Sequence, residues 1–548
     1  MTTNDAPVPQ APVAQASTEA RVAKSAGLVG AATLLSRVAG LMRDQVMATL
    51  FGAGFATDAF NVAFRIPNLL RDLFAEGAMS SAFVPTFTEY HVKRGEEEAW
   101  ALGRQLMVWL LLLLLVICTL GWIFTPQLVR LFAGGFARIP GKLEVTNQLT
   151  RIMLPFLPTV ALAAAAMGML NARGRFGVPA LAPTLLNVGM VAGGLALIPA
   201  MHAIGQPAIV AMAVGVVFGG LLQFGCQLPS LYRLGFRLRL EMPRAHAGVW
   251  RVGRLMLPAI VGLAGTQVNQ FVSTVIASHL EQGSVSWLYF AFRLMQLPIG
   301  VFGVALATVS MTELARAAVA EDMPLLKRTL SATVRLVFML TVPAAVWLAV
   351  MAQPVIAVLF EHGHFHADST RHTADALVMY CIGLPAFAAV GVFTRTFYAL
   401  GDTRVPVMAS FVSVAVNITL NLLFIGPLKF LGLGHTGLAL ATSVTAFGNL
   451  FQLGFYLRRR VGLLEGRRIL STLLRVLIAS GLIAAACWAL LDVLGNRWHH
   501  GFAREGLAVG AGFVIAVGVG WVAMRVMRVE ELHAVHELAR GLARRFGR

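Results

Sequence analysis

Charge-free apolar stretches of membrane-spanning length recur along this chain, and they constrain its fold more than any other feature. A helix that crosses a bilayer needs about 20 mainly apolar residues. Only 13% of the 548 residues are charged, whereas soluble proteins carry about 25%. We therefore exclude a large soluble enzyme and predict an all-α integral membrane protein. Stretches without Asp, Glu, Lys or Arg are residues 106–124, 207–232, 336–360, 405–428 and 430–457.

Hydrophobic runs and the helix breakers between them predict fourteen transmembrane helices. Several predicted spans are longer than a bilayer is thick, which tilting or bending at internal Gly and Pro can accommodate. The predicted ranges are 27–51, 57–90, 105–132, 149–171, 179–201, 207–232, 252–279, 285–315, 331–360, 374–399, 405–427, 434–457, 471–491 and 506–525.

The distribution of Lys and Arg orients these spans. With the N-terminus in the cytoplasm, thirty of the 44 basic residues fall in cytoplasmic loops and tails, and seven fall on the opposite side. Cytoplasmic loops of membrane proteins are rich in Lys and Arg. We therefore predict a multi-pass protein of the bacterial inner membrane with both termini in the cytoplasm. The net charge of +18 reflects this topology and attraction to anionic lipids, so no nucleic-acid partner is expected.

Short matches that share one offset indicate an internal repeat. The triplet Ala-Phe-Arg at 63–65 recurs at 291–293, and Ala-x-Gly at 172–174 recurs at 399–401. An offset of about 227 residues equals six spans, which predicts two parallel six-helix lobes with the substrate site between them. The predicted organisation is a disordered cytoplasmic tail at 1–24, an N-lobe at 25–240, a C-lobe at 241–465, two further helices at 466–528 and a basic cytoplasmic tail helix at 529–548.

Charged residues occur inside the first two predicted spans, where a lipid-facing charge costs about 2.5–3.5 kcal/mol. In the second span the polar residues follow the 3.6-residue period of a helix and form one face, which we expect to face water or other charges. An amphipathic helix lying on the membrane surface is the alternative interpretation. The polar face comprises Asp58, Asn61, Arg65, Asn68, Asp72 and Glu76.

The intramembrane arginines predict an anionic substrate group. A guanidinium offers a planar fork of donors that suits phosphate oxygens. We assign substrate contact to Arg37, Arg43 and Arg293. For Arg65 and Arg71, substrate contact and structural ion pairing remain open alternatives.

Two structural ion pairs could account for part of this charged set. Arg37 and Asp44 lie seven residues apart and share one face of the first span, and Asp58 and Arg65 have the same spacing in the second. Asp44 and Asp58, the acids of these two pairs, are therefore candidate functional acids.

Three further patterns have a commoner structural explanation. Alternating histidines at 361–368 resemble a metal cluster but are typical of a polar external loop, and the four cysteines lack a paired or zinc-binding spacing. Polar faces of the seventh and twelfth spans suit interhelical packing.

No nucleotide-binding motif occurs, so no cofactor or metal is expected, and the membrane potential or an ion gradient would drive transport.

Several motifs follow one another along the chain. They are Ser-Arg-Val-x-Gly-x-x-Arg-Asp at 36–44, Phe-Gly-Ala-Gly-x-x-Thr-Asp-Ala-Phe at 51–60, Pro-Asn-Leu-Leu-Arg at 67–71, Phe-Ala-Glu-Gly-Ala at 74–78, Ala-Pro-Thr-Leu-Leu-Asn at 182–187 and Gly-Ser-Val-Ser-Trp at 283–287. With these motifs the chain resembles the MurJ (MviN) family of lipid II flippases over about residues 25–525.

The resemblance implies the fold of the multidrug/oligosaccharidyl-lipid/polysaccharide (MOP) exporters, with two lobes in a V. It also implies that the last two helices form a groove for a polyprenyl tail. Phe292 stands before Arg293 where many relatives have Asp, so the family's counter-ion is absent from that position. The family's essential arginines fall on Arg37, Arg43, Arg71 and Arg293, and its functional acids on Asp58 and Glu76.

The function that the resemblance implies is transport of lipid II from the cytoplasmic to the periplasmic leaflet by alternating access, for cell-wall synthesis. Lipid II, membrane lipids and proteins of cell-wall synthesis are the expected partners. One alternative is a related exporter of another polyprenyl-linked oligosaccharide or of drugs; a site for cationic drugs would be rich in acids. A polytopic enzyme acting on polyprenyl phosphates is another, but it would need catalytic acids or histidines in membrane-edge loops. No enzyme activity is predicted.

Overall fold

The computed structural model describes residues 12–72, 77–239, 241–497 and 501–532, and every regular element in these ranges is helical. A π-helical segment, Ile299–Gly303, joins α12 to α13. The helices are α1 (Pro12–Phe51), α2 (Phe55–Arg71), α3 (Gly77–Arg94), α4 (Glu96–Ile123), α5 (Thr125–Ala133), α6 (Lys142–Met153), α7 (Phe156–Ala172), α8 (Gly177–Ala203), α9 (Ile209–Gly225), α10 (Leu228–Arg233), α11 (Ala247–Ser278), α12 (Ser284–Pro298), α13 (Val304–Val319), α14 (Met323–Val350), α15 (Ala352–Phe360), α16 (Ala367–Ala399), α17 (Arg404–Ile425), α18 (Gly434–Val461), α19 (Gly466–Arg497) and α20 (Phe502–Val526).

Eleven helical segments among the described residues are long and apolar enough to cross a membrane. The prediction of an all-α membrane protein is thus confirmed. The first, second and seventh predicted spans fall in α1, in α2 with α3, and in α11, which are outside these eleven. The total of fourteen spans therefore stays a prediction.

One sequence prediction about the N-terminal region needs correction. Among the described residues α1 runs from Pro12 to Phe51, so residues 12–24 of the expected disordered tail are helical. The second predicted span, 57–90, contains α2 and α3, and residues 73–76 between them lie outside the described residues. Residues 533–548, most of the predicted tail helix, lie outside the described residues.

The first of two compact units comprises Met1–Val46, Ala63–Leu128 and Thr146–Leu263. Its core packs aromatic side chains of α3 and α4 against α7, with Phe83 and Phe87 fully buried. Helices α8 and α9 meet along glycines: a Cβ on Gly189 would lie 2.7 Å from the Cα of Gly219, and one on Gly215 would lie 2.4 Å from the Met190 carbonyl oxygen. Glycine at these positions therefore lets the two backbones touch.

The second unit comprises Met47–Val62, Val129–Val145 and Ala264–Arg548. Two short segments from the first third of the chain thus belong to it, whereas the sequence predicted a single boundary near residue 240. Its core is formed mainly by α13, α14, α16 and α18. The last two helices contribute Val476, Ala479, Ala523 and Met524 to the same core, so they take part in the packing of this unit.

Candidate functional site

Arg43 of α1 is held by two partners within the first unit. Its Nε and Nη2 donate to Oδ1 of Asp44, at 3.0 and 2.7 Å. Its Nη1 donates to Oδ1 of Asn187 on α8, at 3.1 Å. The side chains of Arg43 and Asp44 are only 11% and 2% exposed. The predicted pair of Arg37 with Asp44 is therefore wrong, because the adjacent Arg43 is long enough to bend back onto the carboxylate.

Arg37 lies two turns before Asp44 on α1 and is half-buried. Among the described residues its side chain makes no hydrogen bond or ion pair. A half-buried guanidinium keeps its charge and its five donors, which require an acceptor when water is excluded. Arg37 is thus the arginine of α1 whose donors are available to a bound anion.

The remaining predicted arginines have different surroundings. Arg71 pairs with the neighbouring Asp72, whose Oδ1 accepts from Nε at 3.2 Å and from Nη2 at 2.8 Å. Arg65 is half-buried in α2, and Arg293 is half-buried in α12, six residues before the π-helical segment begins. Arg65 and Arg71 lie in the first unit and Arg293 lies in the second. Glu76 lies outside the described residues.

Asp58, at the start of α2, is the centre of a buried polar network in the second unit. Its Oδ2 accepts from Lys142 Nζ at 2.9 Å and from the Gly283 N–H at 2.8 Å. Its Oδ1 accepts from the N–H and the hydroxyl of Ser286, at 2.9 and 2.6 Å. The carboxylate therefore caps the N-terminus of α12, where the helix dipole favours a negative charge.

This network corrects two predictions about the second span. Asp58 pairs with Lys142 and not with Arg65. It is also 1% exposed, so this end of the polar face is closed to water. The other described members of the face, such as Asn61 and Asn68, are half-buried.

Lys142 is a functional candidate that sequence reasoning missed. It is completely buried, and its ammonium lies 4.2 Å from the centroid of the Phe136 ring. Since fully buried lysines are almost always paired, its role depends on Asp58. In the sequence it stands as one of seven basic residues on the predicted outer side, and nothing in its spacing connects it to a residue 84 positions earlier.

Glycines allow three backbone contacts near this network, within the second unit. The His364 N–H donates to the Thr49 carbonyl at 2.9 Å. A Cβ on Gly363 would lie 2.3 Å from the same carbonyl oxygen, and one on Gly52 would lie 2.3 Å from the His364 carbonyl oxygen. A Cβ on Gly135 would lie 2.2 Å from the Ser278 carbonyl oxygen. The loop of the alternating histidines thus packs on the end of α1.

A groove between α19 and α20 has almost entirely apolar walls. Its volume is about 580 Å³. Gly518 widens it, since a Cβ there would meet no atom within 4 Å. Such a groove suits a hydrocarbon chain. The walls are formed by Leu482, Ile515, Gly518, Val519, Val522, Ala523, Val526 and Met527.

Comparison of the sequence with known proteins identifies its family. A family model described as Lipid II flippase MurJ matches residues 47–508. A protein of Vibrio cholerae named probable lipid II flippase MurJ is 34% identical over 528 residues, covering 94% of this chain and 98% of that protein. The lipid II flippase MurJ of Burkholderia cenocepacia is 38% identical over 432 residues, covering 78% and 82% of the two chains.

Comparison of the structure agrees with the sequence. A solved structure of lipid II flippase MurJ in an inward closed conformation superposes with a TM-score of 0.75 at 25% identity, covering 91% of this chain and 99% of that one. An inward-facing multidrug resistance MATE family transporter of the MOP superfamily gives 0.65 at 15% identity, covering 79% and 96%. The MATE likeness concerns the fold alone and confirms the predicted MOP fold. This chain belongs to the MurJ family of lipid II flippases.

Proposed function

We propose that this protein moves lipid II from the cytoplasmic to the periplasmic leaflet of the bacterial inner membrane by alternating access. The observation that carries the proposal is the half-buried Arg37, which has no partner among the described residues. Arg43 lies about one and a half turns after Arg37 on the same helix and provides a second guanidinium. Asp44 and Asn187 hold its side chain in place. We propose that Arg37, Arg43 and Arg293 each contact the diphosphate of the substrate during transport.

The acids and the remaining arginines have supporting roles in this proposal. Asp44 orients Arg43, and Asp72 holds Arg71 in the same way. We assign Arg65 to the same charged region of α2 as Arg71. The family is one of flippases, and we infer that transport involves no covalent chemistry and no cofactor.

In this proposal the Asp58 network holds helix ends together on the periplasmic side until the substrate is released. It joins the start of α2 and Lys142 to the start of α12, and the predicted topology places all three on the periplasmic side. Release of lipid II to that side requires these contacts to open. The membrane potential can help drive this step, because moving one charge across 100 mV changes the free energy by about 2.3 kcal/mol.

The apolar groove of α19 and α20 is the proposed path of the polyprenyl tail. Replacing Gly518 with Leu should fill the groove without a steric clash in the protein, because nothing lies within 4 Å of the added Cβ. We expect flipping to fall several-fold while expression and thermal stability stay unchanged. Gly510→Leu is the matched control, because this glycine of α20 has equally open surroundings but does not line the groove. Equal flipping by both variants would show that the groove takes no part in transport.

The function itself is tested by depleting the protein in its own bacterium. Lipid II should accumulate on the cytoplasmic face while its synthesis continues, as measured by accessibility to an enzyme that cleaves only periplasmic lipid II. Expression of the wild-type protein should restore cleavage. Unchanged periplasmic lipid II during depletion, with no second flippase present, would contradict the proposal.

A further inference from the structure

A separate cavity lies in the first unit, at the turn between α7 and α8. Its volume is about 410 Å³. It lies beside the first part of α1, where a Cβ on Gly177 would meet Leu28 at 3.0 Å. None of the substrate arginines contributes to it. The lining residues are Leu28, Gly174, Arg175, Phe176, Gly177, Val178, Ser230, Arg233 and Leu234.

Two arginines of this cavity have no acidic partner among the described residues. Arg175 and Arg233 are exposed and make no side-chain hydrogen bond or ion pair there. Two neighbouring arginines of the first unit are paired, Arg173 with Glu96 and Arg104 with Glu241. Glu96 and Glu241 are thus engaged by other arginines, and the cavity keeps two positive charges.

The cavity also offers neutral donors. The N–H groups of Gly177 and Val178 begin the 27-residue helix α8 and have no backbone acceptor, and the N-cap residue Phe176 provides no side-chain cap. The Ser230 hydroxyl has no hydrogen-bond partner among the described residues. Together with the two guanidinium groups, these donors surround a space that suits a phosphate.

The rest of the lining is mainly apolar. Leu28 and Phe176 are exposed, and Leu234 is half-buried. A soluble anion would gain nothing from these side chains, whereas the glycerol and the first methylenes of a lipid would cover them. The predicted topology places all of these residues at the cytoplasmic end of their helices.

We propose that this cavity binds the phosphate of an anionic phospholipid from the cytoplasmic leaflet. The guanidinium groups of Arg175 and Arg233 hold the phosphate, and the acyl chains lie against Leu28 and Leu234. A zwitterionic headgroup fits less well, because its cation would lie beside two unneutralised arginines. The site is distinct from the substrate arginines and depends on the proposed topology alone.

The test is native mass spectrometry of the full-length protein with phosphatidylglycerol or phosphatidylcholine added in detergent. Wild-type protein should retain phosphatidylglycerol at least about tenfold more strongly than the variant carrying Arg175→Gln and Arg233→Gln, since two charge-assisted contacts are lost. Phosphatidylcholine should bind equally to both. The charge-matched control is Arg239→Gln with Arg254→Gln, two exposed arginines outside the cavity, and it should bind as the wild type does.

Three results would overturn the proposal. They are unchanged phosphatidylglycerol binding in the cavity variant, an equal loss in the control variant, and displacement of the lipid by millimolar inorganic phosphate. The last result would indicate a site for soluble anions. Should the double variant not be purified, Arg233→Gln alone must lower phosphatidylglycerol binding while leaving phosphatidylcholine binding unchanged.

Discussion

Replacing Lys142 with Met is expected to destabilise the protein by about 3–5 kcal/mol, because it leaves the buried carboxylate of Asp58 without its counter-charge. The three hydrogen bonds from Gly283 and Ser286 would remain, but they do not neutralise the charge. The measurement is thermal unfolding of the purified protein together with complementation of a depletion strain. Lys429→Met is the matched control: this lysine is exposed, and such surface changes usually alter stability by less than about 0.5 kcal/mol.

The pair can be separated from general packing by a double-mutant cycle. Asp58→Asn should also be destabilising, since it removes the carboxylate that the buried Lys142 ammonium contacts at 2.9 Å. The variant with both Asp58→Asn and Lys142→Met should lose less than the sum of the two single losses, because no isolated charge is left. Additive losses, or a Lys142→Met protein as stable as the Lys429→Met control, would show that the ion pair does not hold this end of the protein.

Replacing Arg37 with Ala should abolish flipping while the protein inserts and folds normally. No described contact of Arg37 stabilises the fold, whereas a lost charge-assisted bond to the diphosphate costs about 1.5–3 kcal/mol, or about 10- to 150-fold in affinity. Arg293→Ala should have the same phenotype. Arg37→Lys should recover part of the activity, because lysine keeps the charge but not the fork of donors.

The readout is complementation of the depletion strain, with expression and thermal stability measured in parallel. Arg239→Ala is the control, as this arginine is exposed outside the substrate set. Full complementation by both Arg37→Ala and Arg293→Ala at normal expression would refute the anion site. A loss of activity accompanied by a lower melting temperature would instead indicate a structural role.

The fold could be predicted from the sequence because a membrane-spanning helix is recognised from the mean hydropathy of all its residues. Spans such as Arg404–Ile425 and Gly434–Val461 comprise 22 and 28 residues, so one misjudged residue changes little. The helical conformation of residues 12–24 was less accessible, because hydropathy does not distinguish a polar helix from a polar tail.

Only part of the candidate site could be predicted from the sequence. Helical periodicity shows that Asp58 and Arg65 share a face, but it does not show what that face meets. The partners of Asp58 come from residues 84, 225 and 228 positions away, which no local spacing reveals. Arg43 with Asp44 was missed for the opposite reason: adjacent residues point in different directions, and only the length of arginine lets them meet.

The glycine contacts of α8 and α9 restrict how this pair of helices can move. No side chains separate the two backbones at Gly189, Gly215 and Gly219, so there is no interdigitated layer that could change register. Sliding one helix by a residue would place a Cβ where only a hydrogen atom fits. The pair can tilt as one rigid body, but it cannot shear, and any conformational cycle must find its flexible points elsewhere in the chain.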